Sequence, residues 1–370
     1  MKDKSANFMA RKIYEQVRDM IGEETLLKQP GDFCESEMQY AIKFGVSRAT
    51  VRKAVDDLIK SGRVKRVPGK GLMVAEESMK SANIKFLISL PFVVGDGYFF
   101  NVTMGCLQKA NDLGYDYKVL NCSSPYQRLQ KFMTETLSDY SAIILAVYET
   151  QEDATILSLV KNSGRPYVLI DNYPEGTHEP VVINDDFTGG YMMAEYLLNN
   201  GHSNILYISS TRTVHTVSER ERGFCQALLD YGIIPKSNDI IRIDDPGTPK
   251  WELKSLSGIV NTLTSNPYTA VVGYSSIPIL SLCSHLIQKG YSIPDTYSLI
   301  GFGDLTYMDS HDLSLTSIQV DSISMGTTAV EILDDNISGR TSKVGSMVLG
   351  VHLKKGKTVS RIGPGLKKKK

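Results

Sequence analysis

Arg48 and Arg52 stand four residues apart, with Thr50 between them and Lys53 next in line. On a helix that spacing puts both guanidinium groups on one face. A guanidinium fork donates paired hydrogen bonds to a phosphate or to a guanine edge, and a threonine hydroxyl serves either partner. Lys70, between Gly69 and Gly71, offers an ammonium to a phosphate or to the minor groove, and its glycine neighbours permit close backbone approach. Arrangements for catalysis or metal binding do not occur. The six histidines (His178, His202, His215, His285, His311, His352) show no H-x-x-x-H spacing, and the five cysteines no C-x-x-C. Gly95-Asp-Gly97 and Gly69-Lys-Gly71 are too short for phosphate loops, and no nucleophile elbow is found. No cofactor, no metal and no enzymatic activity are expected.

The elements that must hold these groups follow from the pattern around them. Apolar residues at Phe8, Met9, Ile13, Val17, Met20 and Ile21 predict a helix over 8–21. Ser36 and Glu37 open a short second helix, which Gly45 breaks. Ser47 caps a third, from Arg48 to about Lys60, in which Val51, Val55 and Leu58 form the buried stripe. Two short helices across a glycine turn make a helix-turn-helix. Beyond Gly62, basic and apolar residues alternate, and Pro68-Gly-Lys-Gly71 turns the chain into a hairpin with a basic tip. A basic helical face alone is usually only a solvated one. Followed by a basic hairpin, in this order, it makes a winged helix that binds DNA. The helix beginning at Ser47 enters the major groove, and Ser47, Arg48, Thr50, Arg52, Lys53, Gly69, Lys70 and Gly71 are the expected contacts.

Charge is divided unevenly along the chain. Its 370 residues carry 41 basic and 41 acidic side chains, a formal net charge of zero. Residues 1–80 hold 16 basic and 12 acidic side chains, net +4; residues 354–370 hold eight basic and none acidic, net +8; the remaining body is therefore −12. Such asymmetry predicts two jobs in one chain. A 42% hydrophobic share allows a large core, and no apolar run approaches a membrane span. The opening residues have no apolar signal segment and the odd, scattered cysteines read as reduced thiols, so a cytoplasmic protein is expected.

From residue 83 apolar runs alternate with helical stretches. Strands are expected over 84–90, 117–121, 142–147, 167–170, 181–183, 205–208, 240–243, 270–272 and 297–301, with helices over 101–112, 127–138, 189–200, 218–231, 251–264 and 278–289. That alternation predicts an α/β architecture of doubly wound parallel sheets, and its length favours two lobes with a ligand cleft between them. The expected domains are a winged helix over 1–75, a linker over 76–82, a two-lobed domain over 83–362 and a basic disordered tail over 363–370.

Two resemblances sharpen this reading. Pro30-Gly-Asp32, Ser36-Glu37, Phe44-Gly-Val-Ser-Arg-Ala-Thr-Val-Arg52 and Pro68-Gly-Lys-Gly71 resemble the GntR-type winged helix, although Met38 stands where many members carry Arg. Val182-Ile-Asn-Asp-Asp-Phe-Thr-Gly-Gly190, Ala194-Glu-Tyr-Leu-Leu-Asn-Asn-Gly-His-Ser-Asn-Ile205, Arg220-Glu-Arg-Gly-Phe224, Ser298-Leu-Ile-Gly-Phe-Gly-Asp304 and Leu315-Thr-Ser-Ile318 resemble the LacI/GalR-type effector domain, related to periplasmic sugar-binding proteins. The combination is similar to the arabinose-responsive, AraR-type repressors. It implies a transcription regulator of carbohydrate-utilisation genes, a homodimer on a pseudo-palindromic operator, controlled by a sugar-like effector.

The second resemblance places effector contacts at Tyr98, Phe99, Phe100, Asp185, Thr216, Arg220, Trp251, Ser275 and Asp304. For Arg220 the competing reading is a structural ion pair, and for each aromatic residue it is core packing. Ser275 and Ser276 replace the usual Asn-Asp, and Gly303 replaces an Asp. Those losses leave open a less hydroxylated, differently shaped or anionic ligand. The alternatives to a regulator are a sugar-processing enzyme or a sugar-binding protein carrying a DNA-binding module.

Overall fold

The computed structural model describes residues 14–368 apart from 15–16, 19, 22–23, 26–27, 29–30, 61–63, 75–83, 92–96, 123–125, 148–150, 175, 213, 245–252 and 304–313, and leaves aside the side chains of 60 and 253–255. The expected linker and most of the first expected helix lie outside these residues. The chain divides into two compact units, one comprising residues 1–84 and 111–116, the other 85–110 and 117–370.

In the first unit, helix α1 (Glu37–Phe44) starts at a capping box in which Ser36 and Gln39 satisfy each other's backbone donors. Gly45, at φ 64°, ends it in the left-handed conformation that glycine takes without strain. Ser47 then accepts the Thr50 N–H at 3.1 Å and caps α2 (Arg48–Lys60). Strands β1 (Val64–Val67) and β2 (Gly71–Val74) pair antiparallel as a hairpin. Residues 31–34 pair along β2, with Cys34 N–H donating to the Leu72 carbonyl at 2.8 Å. Val17, Ile21, Tyr40, Val51, Val55, Leu58, Val64 and Leu72 close a small core. Helix-turn-helix and wing thus share one apolar centre, the expected winged helix.

The second unit contains two six-stranded sheets. The first lobe is built from β3 (Lys85–Leu90), α3 (Gly97–Asp112), β4 (Asp116–Asn121), α4 (Tyr126–Thr136), β5 (Ala142–Ala146), α5 (Gln151–Asn162), β6 (Tyr167–Ile170) and β7 (Val181–Asn184). The second comprises α6 (Asp186–Asn199), β8 (Ile205–Ser210), α7 (His215–Asp230), β9 (Ile240–Ile243), α8 (Leu253–Ser265), β10 (Ala270–Gly273), α9 (Ser276–Gln288), β11 (Ser298–Phe302) and β12 (Thr316–Gln319). The chain then returns to the first lobe in α10 (Ser322–Ile337) and β13 (Met347–Leu349), and ends on the second in β14 (His352–Lys354). Strand orders are β13-β7-β6-β5-β3-β4 and β14-β12-β11-β10-β8-β9. The central pairs run parallel, and among the described residues of the second sheet only β14 is antiparallel to its neighbour, β12. The doubly wound α/β expectation is met, with the lobes joined by three crossovers, β7–α6, β12–α10 and β13–β14.

Helices α6 and α7 pack backbone to backbone. A β-carbon at Gly190 would stand 2.0 Å from the Arg220 carbonyl oxygen, and one at Gly223 2.0 Å from that of Phe187. In the first lobe, Gly105 of α3 and Gly326 of α10 make the same kind of approach, to Ile323 and Val102. The C-terminal segment is not a free tail through residue 368. Ile362 N–H donates to Asn200 O and Leu366 N–H to Leu198 O, both at 3.0 Å, and Lys368 pairs with Glu195 at 2.7 Å. The open carbonyls at the end of α6 hold it there.

Candidate functional site

Arg48, Arg52 and Lys53 are exposed on α2, and Thr50 is half-buried with its hydroxyl 2.8 Å from that of Ser47. The buried stripe Val51–Val55–Leu58 occupies the opposite side, so the helix presents one basic face to solvent. Arg48 reaches Glu37 at 3.6 Å; Arg66 of β1 pairs with Glu37 at 2.6 Å and Asp56 at 2.9 Å, tying the hairpin to both helices. Lys53 lies 4.5 Å over the Tyr14 ring. At the wing tip Lys70 is exposed, its N–H closing the turn onto Val67 O, and Gly69 and Gly71 have φ of 74° and 103°. Met38 is 59% exposed on α1, an uncharged side chain beside this basic surface.

Between the lobes of the second unit lies a cavity of about 190 Å³. The first lobe contributes Tyr98 of α3, Asp171 after β6 and Asn184 at the end of β7. The second contributes Ser210, Arg212, Thr216, Arg220, Tyr274, Ser275, Ser276 and Phe302. Among the expected effector residues, Tyr98, Thr216, Arg220 and Ser275 line this cavity. Phe99 and Phe100 do not: both lie in the first turn of α3, where Phe99 is buried edge-on to Tyr98 and Phe100 faces outward, 40% exposed. The 101–112 reading began that helix one turn late, and the helical rotation separates three residues treated as one wall. Asp185 is also away from the wall; its carboxylate caps α6 by accepting from Thr188 N–H at 3.0 Å. Trp251 and Asp304 lie outside the described residues.

Asp171, Asn184, Ser210, Arg212, Tyr274, Ser276 and Phe302 were missed. Asp171 carried a signal, since it directly follows a strand at the carboxyl edge of a parallel sheet, where ligands bind in such folds. It has φ 69°, the one positive φ of a non-glycine residue among those described. Aspartate tolerates this conformation, and such outliers gather at functional sites. Tyr98 donates its hydroxyl to Asp171 at 2.5 Å and accepts from the Asn184 amide at 3.0 Å, so the phenol is spent on positioning the carboxylate.

Arg220 performs the competing role as well as lining the wall. Its Nε donates to Asp186 at 2.7 Å, one NH donates to Tyr274 O at 2.9 Å, and the guanidinium lies 3.6 Å over the Phe302 ring. Phe302 lines the cavity, but it is 3% exposed and its ring carries the guanidinium. The side chains of Asp186 and Arg220 are 1% and 12% exposed. Burial pushes the Asp186 carboxyl up to about 7 despite the pull of Arg220, with Asp171 adding to the rise. Burial raises Asp171 too, against Arg220 and the Tyr98 hydrogen bond. Asn184 Oδ1 and Asp186 Oδ2 are buried with no hydrogen-bond partner among the described residues.

The replaced acceptors are engaged locally. Ser276 donates to Gly303 O at 2.8 Å, and the Ser275 hydroxyl caps α9 by accepting from Ile277 N–H. With Asp171 on the first-lobe wall and Arg212 and Arg220 on the second, the cavity has a carboxylate on one side and cations on the other. That division suits a neutral ligand with several hydroxyl donors better than an anion, which would meet Asp171.

Residues 9–74 match the gntR family of bacterial regulatory proteins, and residues 194–359 match the periplasmic binding protein-like domain. The chain carries a gntR-family domain and a periplasmic binding protein-like domain. Both are spanned by a relative, the arabinose metabolism transcriptional repressor of Geobacillus stearothermophilus, 27% identical over 86% of this chain and 89% of its own. The gntR-family domain thus accounts for the basic helix and wing, and the periplasmic binding protein-like domain for most of the second lobe. Among solved structures, the transcriptional regulator CelR in complex with cellobiose is 18% identical with a TM-score of 0.66, covering 84% of this chain and 90% of that one. A LacI family transcriptional regulator from Enterococcus faecium with bound ribose is 21% identical with a TM-score of 0.63, covering 75% of this chain and all of that one. These likenesses establish the LacI-type fold of the two-lobed unit. Among the described residues no helix is long and apolar enough to cross a membrane, and no cluster suited to a metal ion is found.

Proposed function

We propose that this protein is a sugar-controlled transcriptional repressor of carbohydrate-utilisation genes, acting in the cytoplasm. The observation that carries the reading is the joining of a basic winged helix to a two-lobed polar cavity, an arrangement shared along most of its length with a relative named as a repressor of arabinose metabolism. Ser47, Arg48, Thr50, Arg52, Lys53 and the Gly69–Lys70–Gly71 wing contact double-stranded DNA, the arginines reading base edges or phosphates. A monosaccharide, with arabinose the first candidate, lies between Asp171 and Arg220, its hydroxyls donating to Asp171 and accepting from the second lobe.

The protein acts as a homodimer through its effector domain, so that two winged helices meet the halves of a pseudo-palindrome. Phe100 and Met104, one turn apart on α3 and 40% and 44% exposed, supply an apolar stripe for that contact. Sugar binding changes the pose of the readers by whatever differential affinity it has for the two lobe arrangements, typically about 1–3 kcal/mol. Thermal-shift measurements with L-arabinose, D-ribose, D-galactose and cellobiose, paired with sugar-dependent operator binding, test the reading. A shift with one monosaccharide together with loss of DNA affinity supports it. Turnover of a sugar, or operator binding indifferent to every sugar that shifts the melt, would replace it.

A further inference from the structure

Helix α7 carries both Thr216 and Arg220 to the cavity, and it begins in an unusual way. The other cleft-facing helices with described N-caps start on a side chain of their own: Asp185 for α6, Ser275 for α9 and Asp321 for α10. At α7 the N-cap is Val214, which has no group to accept a hydrogen bond. The acceptor comes instead from the other lobe, where Asn172 Oδ1 takes the His215 backbone N–H at 3.1 Å. Asn172 is 1% exposed, and its amide nitrogen is directed toward Val147 O at 3.4 Å, which turns the oxygen toward the helix. Beside this bond the Tyr173 ring lies 4.5 Å from the imidazole of His215, with the phenol 3.5 Å from Nε2. The contact adjoins the cavity on both sides, since Asp171, Val214 and Thr216 line it. No chain crosses between the lobes here, because the crossovers lie at 184–186, 319–322 and 349–352.

We propose that Asn172, Tyr173 and His215 form an interlobe latch that caps α7 only while the lobes are together, making these three the positioning residues for Arg220 and Thr216. When the lobes part, the first turn of α7 loses its acceptor and Val214 offers none in its place. Closure and the order of the arginine helix are thereby one event. A ligand that bridges Asp171 and Arg220 draws Asn172, the residue after Asp171, onto the helix that holds Arg220. The latch rests on the reading of the cavity as an effector site, but its own test needs no effector.

Hydrogen exchange of the full chain, followed by mass spectrometry without ligand, reads it directly. Asn172→Ala is expected to speed exchange at 215–218 and at 172–174 by roughly two- to thirty-fold, the range that a lost cap supports. Adding Val214→Ser to that variant supplies a cap from within α7. Exchange at 215–218 then slows again while 172–174 stays fast, a split that a merely structural asparagine does not produce. Unchanged rates in Asn172→Ala, or recovery of both segments together in the double variant, would overturn the latch. Should Asn172→Ala not fold, His215→Ala keeps the backbone bond and removes the ring contact; faster exchange confined to 172–174 supports the latch, and none refutes it. With L-arabinose as probe, faster dissociation from Asn172→Ala at an unchanged association rate is expected, and equal dissociation rates would overturn control of the site. A wild type that does not bind arabinose counts against the effector reading above, while the exchange rates decide the latch.

Discussion

Arg52 stands in solvent on α2, whereas Arg220 on α7 is 12% exposed and engaged by Asp186, a backbone carbonyl and an aromatic face. Among the described residues the first has no side-chain partner, and the second is held by several. A side chain that must meet a polyanion arriving from outside gains from long reach and hydration, and its neighbours need only present the right face. An arginine in a closed cavity has already lost its water, so each donor needs a fixed acceptor, and removing one leaves a buried charge uncompensated. Substitutions in the winged helix should therefore change binding and spare stability, while those around Arg220 should change stability first.

Four substitutions test that contrast, beginning with the largest effect, and a pH profile adds a fifth test. Asp186→Ala leaves the Arg220 charge without its carboxylate and is expected to lower unfolding stability by about 3–5 kcal/mol in urea titrations. A loss under 1 kcal/mol would show that Arg220 is hydrated and that the contrast is false. Gly223→Ala forces a β-carbon onto the Phe187 carbonyl and should cost about 1–3 kcal/mol while shifting α7. An unchanged melting temperature would mean that α6 and α7 part easily.

In the reader, Arg52→Ala should leave melting unchanged and weaken operator binding by about 1–3 kcal/mol if it reads a base. Lys70→Ala should reduce the salt slope of binding by about 1 with little change in sequence preference. A melting loss in either variant would break the comparison from the other side.

The fifth test is a pH dependence. The Asp186 carboxyl rises on folding from its ordinary 3.8 to about 7, so between those values the folded state binds more protons than the unfolded one. This contribution is full below about pH 4, falls as pH rises toward 7, and levels off above. Subtracting the stability profile of Asp186→Asn from that of the wild type should reveal that decline; a flat difference would place the proton elsewhere.

The same contrast explains what the sequence could tell. Arg48 and Arg52 were legible because exposed charge and buried stripe are both periodic, and Ser36, Gly45 and Ser47 punctuate that stretch with local chemistry. The doubly wound sheets were legible from the apolar runs at β3, β5, β6, β8 and β10. The edge strands β13 and β14, three residues each, offered no run long enough to stand out. The cavity residues came only in part. Thr216 and Arg220 sit one turn apart on one helix, whereas Asp171, Asn184 and Phe302 meet there through strand ends far apart in the chain. Tyr98 was separated from Phe99 and Phe100 only by where α3 begins, a boundary that the aromatic run itself obscured.

The two short edge strands carry a consequence for how the protein is made. β13 borders the first lobe and β14 the second, and the segment beyond β14 is bound to the end of α6. On the ribosome, the winged helix has every residue of its apolar centre once the hairpin has emerged, while both lobes wait for the last few dozen residues. A nascent or prematurely terminated chain is therefore expected to carry a finished reader and an unfinished sensor. Under the function proposed above, such a fragment is expected to bind DNA without responding to sugar.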